Sequence, residues 1–158
     1  MTTKSLLIAQ FSATLDQENW FVPLEKAIAG LTAAEAAWRD GSANHSVWQI
    51  TNHIYFWNER YYFRFKGTPL PSIEITNDET FENKSDADWQ ATINNLHTMM
   101  NRWRELLQSA DESKFDEPFT EGKPDTWAEV ISDINIHTAY HTGQILYVRK
   151  QQGKWNPA

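Results

Sequence analysis

The sequence predicts an all-α protein, a four-helix bundle in a single domain. Apolar residues recur at steps of three and four along four long stretches, and no segment shows a convincing strand pattern. The 158 residues suit one domain, and 8 Trp, 8 Phe and 5 Tyr supply a core. A domain boundary would have to fall between the second and third helices. Two helices on each side would make poor independent cores, so we expect one domain over residues 1–158.

The first helical stretch is predicted over residues 3–31. Its apolar stripe starts at Leu7 and continues beyond Pro23, which we expect to kink or split the helix. A short segment, 32–38, should add one or two turns. Thr32 and Glu35 have the spacing of a capping box at its start.

The second helix is predicted to begin at Ser46, which forms a capping box with Gln49. Asn44 is a rival cap. The helix stops at Gly67, Pro69 and Pro71. The residues from 66 to 85 lack helical periodicity and read as a long connection. A connection of that length lets the chain cross one end of a bundle.

The third helix is predicted over about 86–110, followed by a loop over 111–125. The fourth helix should start at Thr126, again with a capping box, to Glu129. Gly153 and Pro157 are expected to close it.

Composition narrows the possible functions. The net charge of −7 and the lack of a basic patch argue against nucleic-acid binding. No apolar run approaches the roughly 20 residues that cross a bilayer, and we expect no signal peptide. The absence of cysteine removes disulfides and thiolate ligands, and it favours a cytoplasmic location.

Three histidines form the candidate metal site. His137 and His141 are four residues apart, so they share one helix face, and they lie within the apolar stripe of the fourth helix. His53 lies in the apolar stripe of the second helix. Burying imidazoles together is unfavourable unless their nitrogens find partners, and one divalent ion can serve all three.

Other polar residues are assigned around this site. Asp133 and Gln144 are candidates to hydrogen-bond the free nitrogen of a ligand histidine, and Asp133 is also a possible fourth ligand or simply solvated. His45 can cap the second helix or touch the site, although a structural role is favoured. His97 is read as a surface or boundary residue. Trp57 is a candidate pocket wall or an ordinary core residue.

The segments HSVWQITNHIYFWNERYYFRFKG and IHTAYHTGQILYVRKQQG resemble the DinB-like superfamily, also called DinB/YfiT-like putative metalloenzymes. The second segment carries the family's two histidines followed by a Gly-Gln pair, here Gly143 and Gln144. The resemblance implies an up-down-down-up bundle and a zinc or nickel ion. It also implies that members are often homodimers, and it does not imply DNA binding.

The resemblance further suggests a thiol S-transferase or isomerase that uses a low-molecular-weight thiol. Three neutral histidines leave an open position on the ion, which is typical of a catalytic site. Because the chain has no cysteine, the thiol must come from a cosubstrate, and no catalytic base can be assigned. The alternatives are a metal-dependent hydrolase and a non-catalytic, stress-related metal-binding dimer. The H-E-x-x-H motif of metalloproteases is absent, since Thr138 follows His137.

Overall fold

The structure is a computed structural model that describes residues 1–41, 44–82 and 88–156. Within these ranges every regular element is helical, which confirms the predicted all-α class. The α-helices are α1 (Thr3–Leu15), α2 (Leu24–Ile28), α3 (Ala33–Ala37), α4 (Val47–Phe65), α5 (Trp89–Ser109) and α6 (Trp127–Gln151), with 3-10 turns at Asp78–Phe81 and Glu112–Asp116. No helix in the described ranges is long and apolar enough to cross a membrane.

The helical stretch predicted over 3–31 is split, as expected, but the break begins well before Pro23. Helix α1 ends at Leu15, eight residues before Pro23, and Pro23 is the N-cap of α2. The Asn19 side chain terminates α1, because its amide donates to the carbonyls of Ala13 and Gln17 at 3.0 and 2.8 Å. Hydrogen bonds from a side chain to backbone carbonyls compete with the backbone hydrogen bonds that would continue the helix.

The predicted caps are largely confirmed. Capping boxes start α3 at Thr32, α4 at Ser46 and α6 at Thr126, so Asn44 does not cap α4. Helix α5 is capped by Asp88, whose carboxylate accepts from the Ala91 N–H at 2.7 Å. Three predicted positions lie outside the described residues. They are the start of the third helix at residue 86, the end of the connection at residue 85, and Pro157 at the close of the fourth helix.

Helix α4 packs between α5 and α6. Trp48 donates to Thr92 at 3.1 Å and Trp103 donates to the carbonyl of Asn58 at 2.9 Å, so residue numbers on α4 and α5 rise together. Helices α4 and α6 are antiparallel. His53 lies beside His137, and Phe65 packs on Trp127 with ring centroids 5.0 Å apart.

The buried apolar side chains form one cluster to which all the α-helices contribute. Trp103 is one of its largest fully buried members, with 1% of its surface exposed. This shared core fixes the spacing between α4 and α6, the two helices that carry the candidate metal site.

Candidate metal centre

The structure brings His53, His137 and His141 together. The Nε2 atom of His137 lies 3.1 Å from Nε2 of His53 and 3.0 Å from Nε2 of His141. One ligand atom from each residue lies within 4.8 Å of the others. His53 and His141 are buried, whereas His137 is half-buried. The three imidazoles therefore converge on one point that remains open on the His137 side.

Two helices determine this convergence. On α6, the four-residue spacing stacks His137 and His141 on one face, with ring centroids 4.4 Å apart. On α4, His53 lies between the buried residues Ile50 and Ile54, so its ring points into the core. The pairing therefore depends on the packing between α4 and α6 as well as on the sequence spacing.

Thr80 orients the His53 ring. The Thr80 hydroxyl donates to the carbonyl of Asn77 at 2.5 Å, so it accepts a hydrogen bond from Nδ1 of His53, also at 2.5 Å. Nδ1 then carries the proton, and Nε2 presents its lone pair toward the cluster. This is the arrangement by which outer partners fix the tautomer of a metal-binding histidine.

Gln144 plays the same part for His141. Its Oε1 atom accepts from Nδ1 of His141 at 2.7 Å, and its amide nitrogen donates to the Tyr140 hydroxyl at 3.1 Å. Asp133 makes no such bond to any residue that the structure describes. Helical side chains lean toward the N-terminus, so Gln144 leans back over His141, while Asp133, one turn before His137, leans away from it.

The environment keeps these imidazoles neutral. Burial, with the positive charges that neighbouring histidines would carry, lowers the pKa of His53 to about 3. The same causes lower the pKa of His137 to about 4, and burial also lowers the pKa of His141. All three therefore offer lone pairs at neutral pH, the form that binds a metal ion.

The donor set fits a divalent ion. His53 and His141 both direct Nε2 lone pairs at Nε2 of His137, which has at most one proton to share between them. A cation satisfies all three nitrogens at once. Zn–N bonds of about 2.0–2.1 Å at tetrahedral angles separate two nitrogens by about 3.3 Å, close to the observed spacing.

Thr80 and Phe81 are site residues that the sequence interpretation missed. Both are buried in the 3-10 turn Asp78–Phe81, within the connection that lacked helical periodicity. Phe81 stacks on His53 with centroids 4.0 Å apart, and His45 stacks on its other face at 3.8 Å. His45 therefore contacts Phe81 and does not belong to the three-histidine group.

A local signal marks this turn. Thr76 and Glu79 have capping-box spacing, and their backbone N–H groups bond each other's side chains at 2.7 and 3.4 Å. In ITNDETF, this pattern precedes Phe81, the single aromatic residue of the connection over 66–85. Together the two features indicate a folded turn.

The remaining sequence candidates lie around the cluster. Trp57 is half-buried with its ring edge-on to His53, and it lines a cavity of about 320 Å³ beside His137. Asp133 is exposed in the wall of the same cavity. His97 is a half-buried boundary residue, as predicted, 3.7 Å from a Glu25 carboxylate oxygen.

Replacing Thr80 with Val should weaken zinc binding by about 10- to 100-fold. The substitution keeps the shape of the side chain but removes the acceptor that fixes the His53 tautomer, and losses of such outer partners have effects of this size. Competition with a chromogenic chelator measures the affinity. Thr80→Ser, which retains the hydroxyl, should bind nearly as tightly as the wild type. Equal affinity of the Val variant would show that Thr80 does not orient His53.

Comparison with protein families gives one match. The family model described as the DinB superfamily matches residues 23–145, which include all three clustered histidines and the Thr80 turn. No curated protein and no solved structure gives a match. Because the family match spans well over half of the chain, the protein belongs to the DinB superfamily.

Proposed function

We propose that the protein is a metal-dependent enzyme that joins an external thiol to a small electrophile. His53, His137 and His141 would bind one divalent ion, zinc or nickel. The observation that carries the proposal is the convergence of three Nε2 atoms, two of which have lone pairs fixed by a partner at Nδ1. Three protein ligands with an open side toward a cavity are features of catalytic rather than structural sites.

The chain's own residues define the rest of the site. An ion held by three neutral ligands keeps its full charge and lowers the pKa of a thiol or water bound to it. Thr80 and Gln144 accept the Nδ1 protons of His53 and His141, which keeps the Nε2 atoms of these two histidines directed at the ion. Trp57 and Tyr61 form an aromatic wall of the cavity beside His137.

The proposed reaction has a simple balance. The thiol loses its proton to solvent, and its sulfur forms a bond to the electrophilic carbon. The bond from that carbon to the leaving group breaks, and the leaving group departs with the electron pair. The protein supplies no sulfur, because the chain contains no cysteine.

The test is thiol consumption by metal-loaded protein. Zinc- or nickel-loaded protein is incubated with an alkyl or aryl halide and a panel of low-molecular-weight thiols, and the loss of free thiol is followed. We expect consumption above the uncatalysed rate that disappears in His137→Ala. His97→Ala is the matched control, because that histidine lies outside the cluster, and it should retain the activity.

Other outcomes would refute the thiol-transfer proposal. Turnover of an ester without thiol, lost in His137→Ala, would indicate hydrolysis by metal-bound hydroxide at the same site. Silence in both assays from protein that holds about one ion per chain would indicate a non-catalytic metal-binding protein.

We also propose that two copies associate through α6. Ile136, Tyr140 and Tyr147 are 62, 63 and 61% exposed, and their spacing puts them on one face together with Gly143. Exposed apolar faces of this kind often mark protein interfaces. Light scattering should give the mass of a dimer for the wild type and of a monomer for Tyr140→Glu. A wild-type monomer would refute the proposal.

The long helices α1, α4, α5 and α6 are proposed to form an up-down-down-up bundle. The support is the parallel sense of the α4–α5 contacts and the antiparallel sense of the α4–α6 contacts. Lys4 of α1 donates to the carbonyls of Gln108 and Ala110 at the C-terminal end of α5, which supports an antiparallel α1–α5 pair. A crystal structure with α4 and α5 antiparallel would contradict this topology.

A further inference from the structure

A cavity of about 320 Å³ opens beside His137, between α4 and α6. Its walls combine aromatic, aliphatic and polar side chains, among them Trp57, Asn58, Tyr61, Val130, Asp133 and Ile134. The volume suits a small organic molecule, since ligand pockets span roughly 300–1,000 Å³. The chemistry of these walls indicates which molecule fits.

Asn58 lines this cavity and carries an unsatisfied acceptor. The residue is fully buried, and its amide nitrogen donates to the Ile54 carbonyl at 2.9 Å, which fixes the orientation of the amide. Its Oδ1 atom is buried and accepts no hydrogen bond from the described residues. An unmet buried acceptor is unfavourable, so a ligand that donates to it gains by relieving that penalty.

Asp133 provides a second hydrogen-bond acceptor in the cavity wall, a negatively charged carboxylate. Among the residues that the structure describes, no Lys or Arg lines the cavity, and Asp133 is the carboxylate in its wall. It forms no ion pair with the part of the chain that the structure describes. Asp133 therefore places one negative charge in the wall of the cavity, one helical turn from His137.

Asn58 and Asp133 lie at the same end of the cavity. Asp133 precedes His137 by one turn of α6, and Asn58 follows His53 on α4. Because α4 and α6 are antiparallel, Asn58 and Asp133 are both displaced from the histidines in the same direction. Each displacement along the helix axis is about 6 Å or slightly more. The rings of Trp57 and Tyr61, 6.1 Å apart and tilted by 39°, make the side wall. This shape fits a flat ligand with a polar end directed away from the histidines.

We propose that this cavity binds a small flat molecule by a hydrogen-bond donor group, neutral or cationic, and disfavours carboxylates and phosphates. The donor group lies at Asn58 and Asp133, and the opposite end of the molecule faces His137. The inference deepens the proposed function and rests on it where it identifies this molecule as the electrophilic substrate.

The test is a binding comparison in metal-free protein, without thiol. Benzylammonium, benzyl alcohol and benzoate share one ring and differ in charge and donor capacity. NMR titrations at neutral pH and constant ionic strength give their dissociation constants and the residues that respond. We expect shifts at Trp57, Tyr61 and Val130, and benzylammonium binding at least about fivefold tighter than benzoate, given the usual strength of exposed ion pairs.

Variants of Asp133 and Asn58 test whether these residues cause the ligand preference. Asp133→Asn should remove most of the difference between benzylammonium and benzoate. Glu105→Gln makes the same charge change at an exposed site on α5 and should leave the difference intact. Asn58→Leu should weaken benzyl alcohol binding several-fold without unfolding the protein, because it replaces an unsatisfied acceptor with an apolar group of similar size.

Benzoate binding as tight as benzylammonium binding would overturn the inference. So would equal effects of Asp133→Asn and Glu105→Gln, or the absence of shifts around the cavity. These results are independent of the proposed activity, because neither metal nor thiol is present. The expected charge preference together with no thiol consumption by the loaded protein would refute the transferase and leave the cavity's ligand preference standing.

Discussion

His53→Ala should weaken zinc binding by at least about 100-fold, as strongly as His137→Ala. Each substitution removes one of three protein ligands, whereas the loss of an outer partner alone weakens metal binding by about 10- to 100-fold. Chelator competition on protein purified without an affinity tag measures both variants on one scale.

The contrast between ligands provides the control. His97→Ala removes an imidazole outside the cluster and should bind zinc like the wild type. If His53→Ala also kept wild-type affinity while His137→Ala lost it, the ion would be held by α6 alone. The packing of α4 against α6 would then have no part in the site.

Trp103→Ala should lower the free energy of unfolding by about 3–5 kcal/mol, the usual range for a Trp-to-Ala change in a core. The side chain is 1% exposed, and its indole N–H donates to the carbonyl of Asn58 at 2.9 Å. For a chain of this length the loss corresponds to a decrease in Tm of roughly 6–20 °C. Urea unfolding and calorimetry of the metal-free protein measure it.

Trp20→Ala is the matched control, because that side chain is fully exposed. It should change the free energy of unfolding by less than about 0.5 kcal/mol. Equal effects of the two substitutions would mean that Trp103 does not anchor α5 to α4.

The elements that sequence analysis predicted well have strong local signals. Capping boxes marked the starts of α4 and α6 because Ser46 and Thr126 bond backbone groups three residues ahead. The His137–His141 pair followed from the helical repeat alone. Placing His53 beside it required only that both apolar stripes face one core.

The features that were missed depend on contacts that periodicity does not encode. The end of α1 depends on how the Asn19 amide reaches back to the carbonyl of Ala13. Thr80 and Phe81 reach the site because a 3-10 turn packs against α4, and a search for helical stripes does not register a turn of four residues. The orphan acceptor of Asn58 is likewise visible only once its neighbours in space are known.

The separation of the ligands along the chain has a consequence for the unfolded protein. His53 and His137 are 84 residues apart, so an ion bound by both cross-links the polypeptide over most of its length. Unfolding separates these ligands, so the ion binds the native state preferentially and stabilises it by mass action. We therefore expect bound metal to lower the population of the unfolded chain and so to slow proteolysis. Metal supply would then affect the lifetime of the protein as well as its chemistry.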